Sequence, residues 1–518
     1  MSLETFLYHL HCNTDEETSS NWEVDWEDSP LPYKLYRDVQ KVPLSQEVML
    51  TLNHLEATTD PTLRDIGHFL WYVFGLTQFC QSNIYTEDMK FTNLYRRFVP
   101  SGGGLYPSEL YMYLKVEGLP TGMYHYDAAH HHLALLREGN FDSYVTRALD
   151  NRSDISACFG VVFVSTMFWK NFFKYHNFSY RLQGLDAGVL IGHLQEVTKR
   201  FGFTNSVHFQ FLDRAMNHAL GLSEQEESVY AAIPLSIHPI DTRLHSAEEL
   251  GDQDVTATEL CEELLAIHHT HYVRSKTIAE YPLLLQMNEA AMLETIQRVE
   301  IKQEQKKEGP VFALPRVKRM SYDFTEACQN RFSPEMDFSF QKMSQEQLSA
   351  LLYEAAASFA YQNDLDVAQF TPRVSLYISL FAVEGLPNGA YYYDSDAHLL
   401  RQIQPGDHRL FLQSGLTFHN VNLFQVPLCL HVVGDKDHLK TELGYRGYRI
   451  QQMEAGILVQ KVLLAASALG LGGHPLLGYE VNVCDELYKL EAEEKTTLIQ
   501  VPIGFYRQRP WLKGSLRS

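Results

Sequence analysis

The chain carries one block twice. Residues 116–127 read Val-Glu-Gly-Leu-Pro-Thr-Gly-Met-Tyr-His-Tyr-Asp, and residues 383–394 read Val-Glu-Gly-Leu-Pro-Asn-Gly-Ala-Tyr-Tyr-Tyr-Asp. Nine of the twelve positions are identical, at an offset of 267 residues. An internal repeat fixes architecture before any local argument does. Here it predicts two related domains in one chain. Differences between the copies then show where chemistry survives and where it has decayed.

Three landmarks extend the repeat. Each block follows an alternating run, from Leu110 in the first copy and Leu376 in the second, and Gly-Leu-Pro-x-Gly is turn chemistry, so each copy predicts a hairpin. Next come Phe178-Ser-Tyr-Arg-Leu-Gln-Gly-Leu-Asp-Ala-Gly and Arg446-Gly-Tyr-Arg-Ile-Gln-Gln-Met-Glu-Ala-Gly, now at an offset of 268. Apolar residues at helical spacing around Ala-Gly predict long, closely packed helices, ending at Phe201 and Leu469. Last, Ser228-Val-Tyr-Ala-Ala-Ile-Pro-Leu and Thr497-Leu-Ile-Gln-Val-Pro-Ile-Gly each predict a final buried strand. The expected division is a first domain over 1–236, a connector over 237–315 and a second domain over 316–518. Residues 256–306 of the connector read mostly helical. Its His268-His-Thr-His271 invites a metal, but no Cys or carboxylate supports it, and no metal is expected.

Composition narrows the class. A net charge of −21 argues against sequence-independent nucleic-acid binding, which needs a basic footprint. The seven cysteines form no Cys-x-x-Cys, so reduced thiols and a cytoplasmic location are expected. The first residues lack the pattern of a signal peptide, and no run approaches the roughly 18 apolar residues of a membrane span.

The copies differ where ligands bind. The first has Arg96-Arg-Phe-Val-Pro-Ser-Gly-Gly-Gly-Leu-Tyr-Pro107; the second, at the same place, has Asp366-Val-Ala-Gln-Phe-Thr-Pro-Arg-Val-Ser and no such glycines. Adjacent glycines expose N–H donors and allow close approach to a flat or phosphorylated ligand, though a plain turn has the same composition. Only the second copy has Arg331-Phe-Ser333, a charged fork and a hydroxyl suited to one phosphate, where the first is aligned as Tyr36-Arg-Asp-Val-Gln-Lys-Val-Pro-Leu. Only the second has Leu469-Gly-Leu-Gly-Gly-His-Pro after its long helix, and Arg507 and Arg509 near its end.

These residues resemble the nitroreductase superfamily, and within it the SagB/ThcOx-type, FMN-dependent azoline dehydrogenases of peptide natural-product pathways. The resemblance rests on Pro-Ser-Gly-Gly-x-Leu-Tyr-Pro, Gly-Leu-Pro-x-Gly-x-Tyr-x-Tyr-Asp, a Lys-Tyr before Tyr-Arg, and Leu-Gly-Leu-Gly-Gly. It implies an α+β fold: two tandem domains, each a mostly antiparallel sheet flanked by helices, forming an intramolecular pseudodimer. It implies one FMN per chain in the interface. Arg331, Ser333, Gly472, Gly473, His474 and Arg507 or Arg509 would come from the second copy; Pro100, Ser101, Gly102, Gly103 and Gly104 from the first. The family's catalytic dyad matches Lys174 and Tyr175, whose counterparts are Leu443 and Gly444.

The implied activity is oxidation of thiazolines or oxazolines to azoles in a ribosomally made precursor peptide, alongside a YcaO-type cyclodehydratase, with oxygen reoxidising the flavin. The flavin takes one hydrogen as hydride; the other leaves as a proton and needs a base, for which Lys174 or Tyr175 is expected. Phe168, Trp169, Phe172 and Phe173 would suit a flat ring, or simply fill the core. Two alternatives stand beside this reading: an NAD(P)H-dependent, nitroreductase-like enzyme on a small molecule, and a flavin-free scaffold of a biosynthetic complex.

Overall fold

The computed structural model describes residues 1–13, 23–53, 60–83, 91–240, 255–296, 307–366, 370–509 and 512–515. The repeat is visible as two seven-stranded antiparallel sheets with one strand order. The first runs Lys41–Pro43, His132–Glu138, Gly122–Asp127, Ser108–Leu114, Gly160–Met167, Glu227–Ser236, Thr204–Asn205. The second runs Val311–Ala313, Leu399–Pro405, Gly389–Asp394, Val374–Leu380, Leu428–Asp435, Lys495–Gly504, Gly472–Gly473. The repeated block forms the predicted hairpins, with Leu114 opposite Gly122 and Leu380 opposite Gly389. The fold is the expected α+β pseudodimer.

The long helices span Ser179–Arg200 and Tyr445–Ala468 and are buried on nearly every side. A helix buried all round must lie between layers rather than on one. They pack on each other at their glycines. A Cβ built on Gly188 would fall 1.9 Å from the Met453 carbonyl oxygen, and one on Gly456 would fall 2.2 Å from that of Leu185. Only a residue without a side chain permits such backbone contact.

The chain ends cross between the halves. The helix Leu3–Cys12, capped by Ser2, reaches the second sheet, where His11 Nε2 lies 2.9 Å from Thr496 Oγ1. In return the strand Leu512–Ser515 pairs with Gln78–Asn83 of the first half, which pairs with Phe91–Arg96.

Two expectations need correction. The edge strands Lys41–Pro43 and Val311–Ala313 are equivalent, each pairing antiparallel with the third strand of its hairpin region. Residues 36–44 are therefore the counterpart of the segment around Val311, not of Arg331-Phe-Ser333, and Val311–Ala313 joins the second sheet from within the stretch read as connector. The connector is also less helical than its composition suggests. Helices occupy Ala257–Glu263 and Pro282–Ala290, and no helix covers 264–281. There the backbone pairs with the first half instead, Tyr272 N–H donating to the Leu35 carbonyl and Arg37 N–H to that of Thr270, at 2.8 Å each. Residues 297–306 of the connector lie outside the described residues. His269 Nε2 lies 2.8 Å from the Leu136 carbonyl oxygen.

Candidate active site

The Pro100–Gly104 loop is gripped by one acid from the first long helix. Ser101 Oγ donates to Asp186 Oδ2 at 2.6 Å, and Gly102 N–H donates to Oδ1 at 3.0 Å. Ser101 Oγ also accepts from Tyr106 N–H at 2.9 Å, so the hydroxyl ties the loop to itself and to the helix. Burial pushes the Asp186 carboxyl up to about 6, although both donors favour its charged form.

Beyond that grip the loop turns outward. Gly103 has φ 65°, a left-handed conformation that favours glycine. A Cβ there would fall 2.5 Å from the Tyr175 hydroxyl and 3.1 Å from Lys174 Nζ. The backbone of the glycine loop thus abuts the Lys174–Tyr175 pair directly. Both residues end the short helix Trp169–Tyr175 and are half-buried. Lys174 Nζ lies 4.7 Å from the Tyr175 ring centroid.

Buried charge supports the loop from behind. Lys170 Nζ donates to the Tyr106 carbonyl at 3.2 Å and pairs with Glu109, whose other oxygen lies 2.9 Å from His125 Nε2. Burial alone would raise the Glu109 carboxyl; the Lys170 charge and His125 outweigh it and hold Glu109 below the usual range. The second copy has Ser375 and Tyr392 at the positions of Glu109 and His125.

The second half contributes a buried guanidinium. Arg331 is only 5% exposed. Its Nε donates to the Phe98 carbonyl at 3.4 Å, two residues before the glycine loop, and its own carbonyl accepts from Arg96 Nη2 at 3.1 Å. Among the described residues it has no carboxylate partner. Burial lowers its pKa to about 10, and the Arg96 charge adds to that. A buried cation without an acid is costly unless an anion completes the site, so the donor set fits a phosphate. Ser333 follows, half-buried. A Cβ on Gly472 would fall 2.3 Å from Pro334 Cγ, so the Gly472–Gly473 strand lies directly against the segment that carries Ser333. His474, at the end of that strand, donates its N–H to the Pro502 carbonyl, and burial lowers its imidazole.

Arg507 and Arg509 are placed differently. Arg509 is held between Glu335, at 2.8 Å, and Asp337. Arg507 uses its backbone N–H on the Asp337 carbonyl, and its side chain is exposed. The guanidinium lacking an acid is Arg331, not Arg509.

In the other half the equivalent acid is paired within the protein. Glu454 occupies the place of Asp186 and accepts from Arg373 Nε and the Tyr361 hydroxyl, both at 2.8 Å. Arg373 also reaches Asp366 at 2.7 Å. Nearby, Asp213 is pinned between Arg446 at 2.6 Å and Arg449 at 2.9 Å.

Residues 329–505 match the model of the nitroreductase family. The second half is a nitroreductase-family domain. The crystal structure of a protein from Anabaena variabilis assigned as a nitroreductase shares the fold over nearly everything, with a TM-score of 0.74, 22% identity, and coverage of 98% of this chain and 99% of that one. The trifolitoxin-processing protein TfxB of Rhizobium leguminosarum bv. trifolii is 27% identical over 223 residues, which is 41% of this chain and 50% of that protein. A Methanocaldococcus jannaschii protein assigned as a nitroreductase is 26% identical over 133 residues, 25% of this chain and 64% of that protein. The chain thus matches between half and two thirds of each curated relative's length.

Sequence reasoning missed Asp186 and Arg96. Asp186 had a signal: the repeat keeps an acid at that place, Asp in one copy and Glu in the other. Phe168, Phe172 and Phe173 are almost wholly buried and Trp169 nearly so; they are core rather than an open ring-binding surface.

Proposed function

We propose that this chain is an FMN-dependent dehydrogenase that oxidises azoline rings to thiazoles or oxazoles in a ribosomally synthesised, post-translationally modified peptide. The observation that carries the reading is the Lys174–Tyr175 pair against Gly103, on the loop that follows the carbonyl held by Arg331. One site then draws a proton-handling pair from the first half and an anion-binding guanidinium from the second.

In this reading Arg331 and Ser333 hold the FMN phosphate, with Arg96 adding positive charge. Gly472, Gly473 and His474 border the ring, and Pro100–Gly104 close the site from the first half. When bound, FMN supplies the acceptor for one hydrogen and two electrons. The chain's own residues must remove the second hydrogen as a proton. Lys174 Nζ and the Tyr175 hydroxyl are the groups at hand, one as the base and the other orienting it. Asp186 keeps Ser101 and the Gly102 N–H in place while this happens.

Likeness to a trifolitoxin-processing protein supports a peptide substrate. An azoline must first be made by loss of water from a cysteine, serine or threonine and the preceding amide, so a cyclodehydratase is the expected partner. The test is direct. Flavin-loaded protein should remove two hydrogens per ring from an azoline-bearing peptide in air, read by mass. Rapid bleaching by NADPH with the peptide unchanged would favour a small-molecule reductase instead.

A further inference from the structure

We infer that Trp26 is the wall of the site against which the substrate heterocycle stacks; this rests on the proposed function. Trp26 is 54% exposed, yet it is not an idle surface residue. It packs at right angles to Phe173, with ring centroids 5.5 Å apart and planes at 88°. Lys174 Nζ lies 5.5 Å from its ring. The exposed indole therefore borders the same lysine that Gly103 and Tyr175 border. A flat, unsaturated five-membered ring is the kind of group an indole face receives, by offset stacking.

The residue is also held in place. Asp25 Oδ1 accepts from the N–H groups of Glu27 at 3.0 Å and Asp28 at 3.2 Å, and Ser29 Oγ donates to the Trp26 carbonyl at 2.9 Å. The connector clamps this turn from outside. Asp28 accepts from the N–H groups of Lys276 at 2.7 Å and Thr277 at 2.9 Å, and Arg274 donates to the Glu27 carbonyl at 3.1 Å. Trp169 Nε1 donates to Ser275 Oγ at 2.9 Å, which ties the connector to the helix carrying Lys174. Three segments distant in sequence converge to aim one exposed indole at the candidate base. Exposed turns are usually mobile and weakly bonded; this one is pre-organised.

The test is steady-state kinetics of the flavin-loaded full chain on an azoline-bearing peptide, comparing wild type, Trp26→Ala, Trp26→Phe and Asp28→Ala. Trp26→Ala should raise KM roughly fivefold, the size of one lost stacking contact, with a smaller effect on kcat. Trp26→Phe should restore most of it, and Asp28→Ala, which releases the turn, should give a smaller rise. All four should carry the same flavin content. An active wild type with KM unchanged in Trp26→Ala, or with Trp26→Phe as impaired as Trp26→Ala, would overturn the assignment of Trp26 alone. A flavin-loaded wild type inactive on the peptide would overturn the functional reading beneath it.

Discussion

Tyr180 and Tyr448 lie face to face, their ring centroids 6.1 Å apart and their planes 10° from parallel. They are the same residue of the two repeats, so the axis relating the halves passes between them. Gly188 and Gly456 are likewise equivalent, and their helices touch along that axis. Arg181 and Arg449 show how symmetry and divergence coexist. Arg181 reaches the Leu498 carbonyl at 2.6 Å, whereas Arg449 lies over the ring of Tyr230, the residue equivalent to Leu498, and pairs with Asp213.

The glycine contact predicts a stability result. Gly188→Val places a branched side chain where even a Cβ meets a carbonyl. Overpacking of a closed core typically costs about 1–3 kcal/mol, and this site should lie at or above the top of that range. Urea denaturation of the full chain measures it. A loss below about 1 kcal/mol would show that the helices can separate at low cost.

Arg331, buried without a carboxylate partner among the described residues, predicts opposite effects with and without cofactor. In the proposed site Arg331→Met would remove a charge-assisted contact to the FMN phosphate, each such bond being worth about 1.5–3 kcal/mol, so FMN affinity should fall roughly 100-fold. The flavin-free variant should melt no lower than flavin-free wild type, because a costly unpaired cation has gone. Titration of FMN fluorescence and thermal melts of both forms provide the two readings.

Asp186 predicts a pH dependence. Burial lifts its carboxyl from 3.8 to about 6 in the folded protein, so the folded state binds the proton more tightly than the unfolded chain. Its contribution is therefore full below about pH 4 and is lost as pH rises through 6. The size is about 3 kcal/mol. Measured against Asp186→Asn, wild-type stability should decline by that order between about pH 4 and pH 7. A flat difference would mean that Ser101 and Gly102 offset the burial completely.

The proposed proton-handling pair, Lys174 and Tyr175, has its own test. Lys174→Ala should keep the flavin and lose about 10²–10⁴-fold in single-turnover azoline oxidation, the usual worth of a positioned acid–base group. Undiminished turnover would remove Lys174 from the chemistry.

Much of this was legible in the chain. The hairpins, the closing strands and the long helices follow from turn chemistry, alternation and Ala-Gly at helical spacing, and the helix predicted to end at Phe201 ends at Arg200. What escaped was short or long-range. Lys41–Pro43 and Val311–Ala313 are three-residue edge strands, too short to show alternation, and without them the sequence alone aligns Arg331 with the wrong segment. The Arg509 side chain was visible, but the Glu335 and Asp337 carboxylates facing it were not. Ser101 and Asp186 are 85 residues apart, and only the folded chain joins them.

The central claim is that two halves build one site. The first half keeps the glycine loop and Lys174; the second keeps Arg331 and its neighbours, and Glu454, the counterpart of Asp186, is paired with Arg373. The most direct measurement is the FMN content of the reconstituted, purified full chain, read as flavin released per chain on denaturation. One FMN per chain, with lower occupancy in Arg331→Met, is the result predicted. Two per chain, or none after reconstitution with excess FMN, would contradict it.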